Sequence, residues 1–210
     1  MTSSFVQVVE HPLLQHKLTL LRDENTPTYT FRKLVYEITL LLGFEATRRL
    51  SLRETSITTP MNETIDSHVL DYTPVIIPIL RAGLPMAEAM THLIPDAKLG
   101  HIGLARNEAT HESHCYYFKI PPESPKRSIF LVDPMLATGG SAVHAISLLK
   151  EKNVRDITLM CLVGVSVGVE RVHAEHPDVP IFIGAIDREL NENAYILPGL
   201  GDAGDRVCGT

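Results

Sequence analysis

Between residues 74 and 186, short runs of purely apolar residues alternate with stretches of helical period, and few folds accommodate that alternation. "PVIIPIL" (74–80), "IFLV" (129–132), "DITLMCLVGV" (156–165) and "PIFIGAI" (180–186) lack the in–out rhythm of a half-exposed strand. They read as strands covered on both faces. Between them, Met86, Ala89, Met90 and Leu93 recur at helical spacing, as do Ala142, Ala145, Ile146 and Leu149. "VGVERVHAEHP" reads as a further short helix ended by Pro177, and "KLGHIGLA" and "CYYFKI" as two more strands. Strands that trade places with helices predict an α/β fold with a mostly parallel, doubly wound central sheet. "PIFIGAI" is expected to be its final strand, followed by an irregular Gly-rich tail.

The stretch ahead of Pro60 reads mainly helical. "HPLLQHKLTLLRDE" places Pro12 in a tolerated first turn, with Leu13, Leu14, Leu18 and Leu21 behind it. "TFRKLVYEITLLLGFEATRRL" offers Thr30 as a cap and sets Leu34, Ile38, Leu41 and Leu42 on one side. The expected organisation is a single domain over 1–210. Its core spans about 60–186, between an N-terminal helical region (1–59) and a C-terminal segment (187–210).

At 210 residues the chain can bury one substantial core. Its 19 Lys and Arg against 25 Asp and Glu leave a net charge of −6, with no Lys/Arg run, so no nucleic-acid partner is expected. Apolar runs such as Ile157–Val165 fall short of the ~20 residues a membrane helix needs, so no membrane association is expected. "MTSSFVQVVEHPLL" lacks a basic region followed by an apolar one, and Cys115, Cys161 and Cys208 show no paired spacing. A cytoplasmic, reducing setting is expected. "HESHC", with His111, His114 and Cys115, has no second ligand pair to complete a structural zinc site, and reads as an exposed polar loop.

Three stretches carry chemistry. In "SIFLVDPMLATGGSAVHAISLLK" a buried strand runs into Asp133, then through Thr138, Gly139, Gly140 and Ser141 into a helix. Ligands of open α/β sheets collect at the carboxyl ends of strands. There, Asp133 can accept from two adjacent hydroxyls, as on a ribose. The amides from Ala137 to Ser141, at a helix N-terminus, can face a phosphate, with Ser141 at the cap. No lysine follows the glycines, which excludes a Walker-type loop. A Gly-rich strand-to-helix turn with a cap would share part of this pattern. In "PILRAGLPMAEAM", Arg81 follows a strand directly and Gly83 opens a helix, a junction suited to a second anion or to an ordinary surface turn. "GLGDAG" matches a dinucleotide string at Gly199, Gly201 and Gly204, but only six residues follow, so no βαβ unit can be built on it. It reads as a backbone-rich loop able to meet a flat polar molecule edge-on, or as a flexible terminus. Together these features suit a phosphorylated ribose beside a nucleobase.

"IFLVDPMLATGGSA" resembles the phosphoribosyl pyrophosphate (PRPP) signature of uracil phosphoribosyltransferases. "YILPGLGDAGDRVCGT" is similar to that family's C-terminal uracil-binding segment, and "PILRAGLPM" matches as well. Asp133 followed by Pro134, in place of two adjacent acids, separates the chain from the hypoxanthine, adenine and orotate enzymes. The resemblance implies the type I phosphoribosyltransferase fold and transfer of a phosphoribosyl group from PRPP to uracil, giving UMP and diphosphate. It implies that Asp133, Pro134, Met135, Leu136, Ala137, Thr138, Gly139, Gly140 and Ser141 hold the ribose hydroxyls and the 5′-phosphate. Arg81 and Arg106 would meet the diphosphate. Ile196, Gly201, Asp202 and Ala203 would bind uracil, with Asp202 also facing PRPP. Catalytic weight would fall on Arg106, Asp133 and Asp202, acting by charge and position. Mg²⁺ would be held chiefly through the substrate and the chain would form a homodimer or larger homo-oligomer, while activation by GTP, a property of some relatives, is left open. Two departures stand out: Pro85 where the family pattern has glycine, and "RNEATHES" in place of an acidic run in the flap. Two rivals are an RNA-binding pyrimidine sensor on the same scaffold and a phosphoribosyltransferase for another base.

Overall fold

A computed structural model of the chain describes residues 5–106 and 113–210. The N-terminal segment opens with β1 (Val6–Val8), followed by α1 (Pro12–Arg22) and α2 (Thr28–Ala46). Both helices turn a leucine-rich stripe inward, with Leu14, Leu18, Leu21, Phe31, Ile38 and Leu42 at most 2% exposed. Each such side chain contributes roughly 1.5–3 kcal/mol. A hairpin follows, β2 (Leu52–Thr58) and β3 (Thr64–Leu70), paired antiparallel from Leu52↔Leu70 to Thr58↔Thr64.

The rest of the chain winds the sheet. In order come β4 (Val75–Leu80), α3 (Leu84–Leu93), β5 (Lys98–Leu99), β6 (His101–Arg106), β7 (Ser113–Lys119) and β8 (Ile129–Val132). Then follow β9 (Met135–Leu136), α4 (Gly140–Glu151), β10 (Ile157–Val165), α5 (Ser166–Glu175) and β11 (Ile181–Asp187). The chain closes with β12 (Glu189–Leu190), β13 (Ile196–Leu197) and α6 (Ala203–Cys208). Among the described residues, the main sheet runs β1-β11-β10-β8-β4-β6-β7, with β5 beside β4 and β9 beside β10. All its pairings are parallel except β6 with β7.

Both faces of the sheet are covered, which is why its strands read as continuous apolar runs. Phe130, Val132, Met160 and Leu162 point to the face packed by α1, α2, α3 and α6. Ile129, Leu131, Leu159 and Cys161 point to the face packed by α4 and α5. The sheet order reverses between β4 and β8: the chain leaves β4 toward β6, then returns to place β8 and β10 on the other side. A crevice at the carboxyl ends of β4 and β8 is the expected ligand site of such a sheet.

Several local expectations are corrected. The helical region 1–59 also holds β1, which pairs with β11, and β2 of the hairpin. α2 starts at Thr28 rather than after a Thr30 cap; Pro27, with φ −64° and ψ 152°, already aims the chain into the helix. "PIFIGAI" is not the last strand, since β12 and β13 pair beyond it. The tail ends in α6, so it is not irregular throughout. In the expected "HESHC" loop, His114 and Cys115 belong to β7, paired with Ala105 and Leu104, while His111 lies outside the described residues. No helix among the described residues is long and apolar enough to cross a membrane.

Candidate active site

The turn after β8 is held by the sheet itself. The amide of Asp133 donates to Met160 O (3.1 Å), and the amides of Leu162 and Val163 donate to Pro134 O (3.1 Å each). Met135 and Leu136 then pair with Val163 and Gly164. Gly139 caps α4 in the left-handed region (φ 78°) and accepts from Val143 N (2.9 Å). The cap is therefore Gly139, not Ser141, which lies exposed inside the first turn of α4. Glycine suits the position because it alone takes that φ freely. Thr138 Oγ1 accepts weakly from Gly140 N (3.5 Å).

This turn forms the wall of a cavity of about 650 Å³, lined by Asp133, residues 135–144, Arg171 and Ala194. Asp133 is half-buried at its edge. Burial pushes its carboxyl up to about 7, against the smaller opposing effect of a backbone hydrogen bond from Met135. Cys161, behind it on β10, is held up by burial and then by the charge of Asp133, which makes it a poor thiolate.

Across the switch point, the turn after β4 presses on the end of β8. A Cβ on Gly83 would lie 2.6 Å from Val132 O, so the Arg81–Gly83 turn and Asp133 are close neighbours. The Leu80–Arg81 peptide is cis. Arg81 does not line the cavity; its exposed guanidinium lies 3.7 Å from Asp205 Oδ1 in the tail. Pro85 falls in the first turn of α3, where its missing N–H is no loss. Arg106 ends β6 opposite Ser113, and the remainder of the expected flap, 107–112, lies outside the described residues.

The tail rises from the end of β11 on the same side. Ile196 and Ala203 are each 3% exposed and pack with Leu200 and Val207 into the core face that also receives Met135 and Ala137. Their side chains are spent on packing, so any contact they make with a ligand is through the backbone. Gly201 is exposed with φ 79°, and Asp202 caps α6 by accepting from Asp205 N (2.9 Å). Two arginines moor this segment. Arg22 forms a fork on Asp187 (2.6 and 2.7 Å) and donates to Gly199 O (2.6 Å), while Gly199 N donates to Asp187 (3.0 Å). Arg206 donates to Leu21 O, Leu200 O and Asp23 O and lies 4.3 Å above the Phe31 ring.

Asp133, residues 135–141 and the tail's Ala194 thus share one cavity, whereas Arg81, Pro134, Ile196, Gly201, Asp202 and Ala203 stand outside its lining. Sequence reasoning missed Arg171, His144, Ala194 and both mooring arginines, since each is placed by tertiary packing. Among the described residues, no cluster of three His, Cys, Asp or Glu could hold a metal ion. A divalent cation here would meet Asp133 and a substrate's phosphates, a donor set of the kind Mg²⁺ accepts.

The family model described as uracil phosphoribosyltransferase matches residues 8–210. The chain belongs to the uracil phosphoribosyltransferase family. A uracil phosphoribosyltransferase of Lachnoclostridium phytofermentans is 48% identical over 207 residues, covering 99% of each chain. Another, from Wolinella succinogenes, is 50% identical over 202 residues, covering 96% of this chain and 97% of its own. The solved structure of the AQ2163 protein from Aquifex aeolicus superposes with TM-score 0.90 at 35% identity, covering 96% of this chain and 97% of that one. A hypoxanthine-guanine phosphoribosyltransferase from Bacillus anthracis, at TM-score 0.52 and 14% identity over 76% of this chain and 80% of its own, shares the fold alone. The type I phosphoribosyltransferase architecture expected for this family, a mostly parallel sheet flanked by helices, is the one observed.

Proposed function

We infer that the cavity after β8 is where this chain carries out its family's reaction, uracil plus PRPP giving UMP and diphosphate. Full-length identity near 50% to uracil phosphoribosyltransferases supports the activity. The single observation carrying the site reading is the cavity that joins Asp133 and residues 137–141 to Ala194, two residues before the Ile196 of the tail. We read the whole chain as one domain, since its N-terminal helices and its tail both pack on the one sheet.

In this reading Asp133 accepts from the ribose hydroxyls, and the amides at the start of α4 hold the 5′-phosphate. Displacement at the anomeric carbon builds oxocarbenium character while charge moves onto the departing diphosphate. Arg81 and Arg106 stabilise that charge, and a well-placed donor of this kind lowers a barrier by ~3–4 kcal/mol. A Mg²⁺ ion, where bound through the substrate's phosphates beside Asp133, would supply further neutralisation. No covalent nucleophile is needed; positioning carries the rest. Backbone groups around Ile196 and Gly201 to Ala203 read O4 and N3–H of uracil. Cytosine reverses both, leaving buried groups unpaired, a mismatch that discriminates by about 10⁴-fold. Asp202, which caps α6 outside the cavity's lining, is assigned to the phosphoribosyl substrate by the family resemblance alone.

We read the protein as cytoplasmic, in keeping with three unpaired cysteines. The exposed Leu52, Ile57, Ile65 and Val69 of the β2–β3 hairpin support a homodimer or larger homo-oligomer, which sedimentation measures. The deciding experiment incubates the protein with Mg²⁺, PRPP and labelled uracil, cytosine or hypoxanthine, with GTP added to one arm. UMP formation from uracil alone is expected. Equal use of cytosine or hypoxanthine would refute the base assignment, and RNA binding without turnover would favour the sensor.

A further inference from the structure

α5 begins directly against the turn that follows β8. A Cβ on Gly168 would sit 2.3 Å from Ala137 O and 2.9 Å from Leu136 O, so only glycine lets the helix approach this closely. Three residues on, at the spacing of one helical face, stands Arg171. Its Cβ lies 3.4 Å from where a Cβ on Gly139 would be, and its Nη1 lies 3.4 Å from the same point on Gly140. The Arg171 side chain therefore covers the two glycines that open α4, with Cβ against Gly139 and Nη1 against Gly140, and it lines the cavity. Nε donates to Glu175 Oε1 (3.2 Å), which orients the fork. Among the described residues, nothing accepts from its terminal nitrogens.

An i,i+4 pair of half-exposed groups such as Arg171 and Glu175 contributes little to stability. It also engages the wrong end of the guanidinium to account for the cavity-facing Nη1. A phosphate dianion on the α4 amides would meet about half a positive charge from the helix terminus, which leaves most of its charge unbalanced. An arginine fork beside those amides completes the balance.

We propose that Arg171 binds the 5′-phosphate of the phosphoribosyl group, opposite the amides of residues 138–141. The proposal rests on the reading of residues 133–141 as the phosphoribosyl site. Strand order separates it from the diphosphate end. Arg171 comes from the helix after β10, on one flank of β8, while Arg81 and Arg106 follow β4 and β6 on the other. One cation thus serves the phosphate that stays with the ribose, and two serve the group that leaves.

The test compares the wild-type chain with Arg171→Ala, Arg171→Gln and Arg171→Lys, all checked for an unchanged melting profile. UMP carries the 5′-phosphate and diphosphate does not, so their binding constants separate the two ends. Arg171→Ala and Arg171→Gln should raise KM for PRPP and Kd for UMP about ten-fold, the loss of one charge-assisted hydrogen bond. KM for uracil and the inhibition constant of diphosphate should stay within about two-fold, and Arg171→Lys should recover part of the UMP affinity. Unchanged UMP affinity in both neutral variants would overturn the assignment, as would an equal loss for diphosphate. Asp133→Asn serves as the control on the parent reading. If it too leaves UMP affinity intact, the site is misplaced; if it weakens UMP while the Arg171 variants do not, only Arg171 falls.

Discussion

The turn after β8 and the C-terminal tail flank the same end of the sheet, yet they are held there by different means. Residues 133–136 are bonded into the sheet through their own backbone, against Met160 and Leu162 to Gly164. Among the described residues, the tail's strand pairing is the two-residue ladder of β12 with β13. Besides its packed apolar side chains, it is moored by Arg22, reaching 177 residues forward from α1, and Arg206, reaching 183 and 185 residues back to Asp23 and Leu21. A backbone-built wall is insensitive to most side-chain changes. A wall moored by arginines can be loosened one residue at a time. The sugar-phosphate half of the site is therefore expected to be rigid, and the base half to be separable from it by mutation.

Removing Arg22 gives the largest effect. Asp187, with its side chain 5% exposed, would keep the Gly199 amide but lose its counter-charge, at a cost of about 3–5 kcal/mol. Chemical denaturation of Arg22→Ala should show that loss, and KM for uracil should rise more than KM for PRPP. An equal rise in both would mean that the tail does not act separately. Next, Asp133→Asn should lower turnover about 100-fold, the size of effect expected from losing one well-placed electrostatic group, with the fold intact. Arg206→Met loses three carbonyl partners and the guanidinium over Phe31, and should cost ~2 kcal/mol of stability while leaving UMP phosphate binding in place.

The last effect, of the same order as that of Arg206→Met, is a pH dependence. Burial raises Asp133 from 3.8 to about 7, so between these values the folded chain binds more protons than the unfolded one. Its contribution to stability must therefore fall as pH rises from about 4 to 7 and level off above. Wild type should lose on the order of 1–3 kcal/mol relative to Asp133→Asn across that window in urea titrations. A flat difference would show that Asp133 is not desolvated.

What the sequence discloses follows the same division. β8, its turn and α4 are legible because an apolar run, a glycine pair and a helical stripe all lie within Ile129 to Leu149. The β2–β3 hairpin is invisible to pattern because both strands are largely exposed and present no buried face to alternate. β1 is three residues long and is defined only by its pairing with β11. The cap at Gly139 displaced the expected Ser141 because left-handed backbone geometry, not a hydroxyl, turns the chain into α4. Arg171 reads as an ordinary helix-surface arginine until Gly168 is seen pressed against Ala137 O. The tail's Gly-rich string is legible as sequence, but not the seating of that tail by Arg22 and Arg206, which depends on partners far away in the chain.

A crystal structure of the complex with UMP tests the shared cavity most directly. Phosphate density against the amides of residues 138–141, ribose hydroxyls at Asp133 and the uracil edge on the backbone of residues 196–203 are expected in one molecule of ligand. UMP bound with its base turned away from the tail, or its phosphate away from the start of α4, would contradict the account.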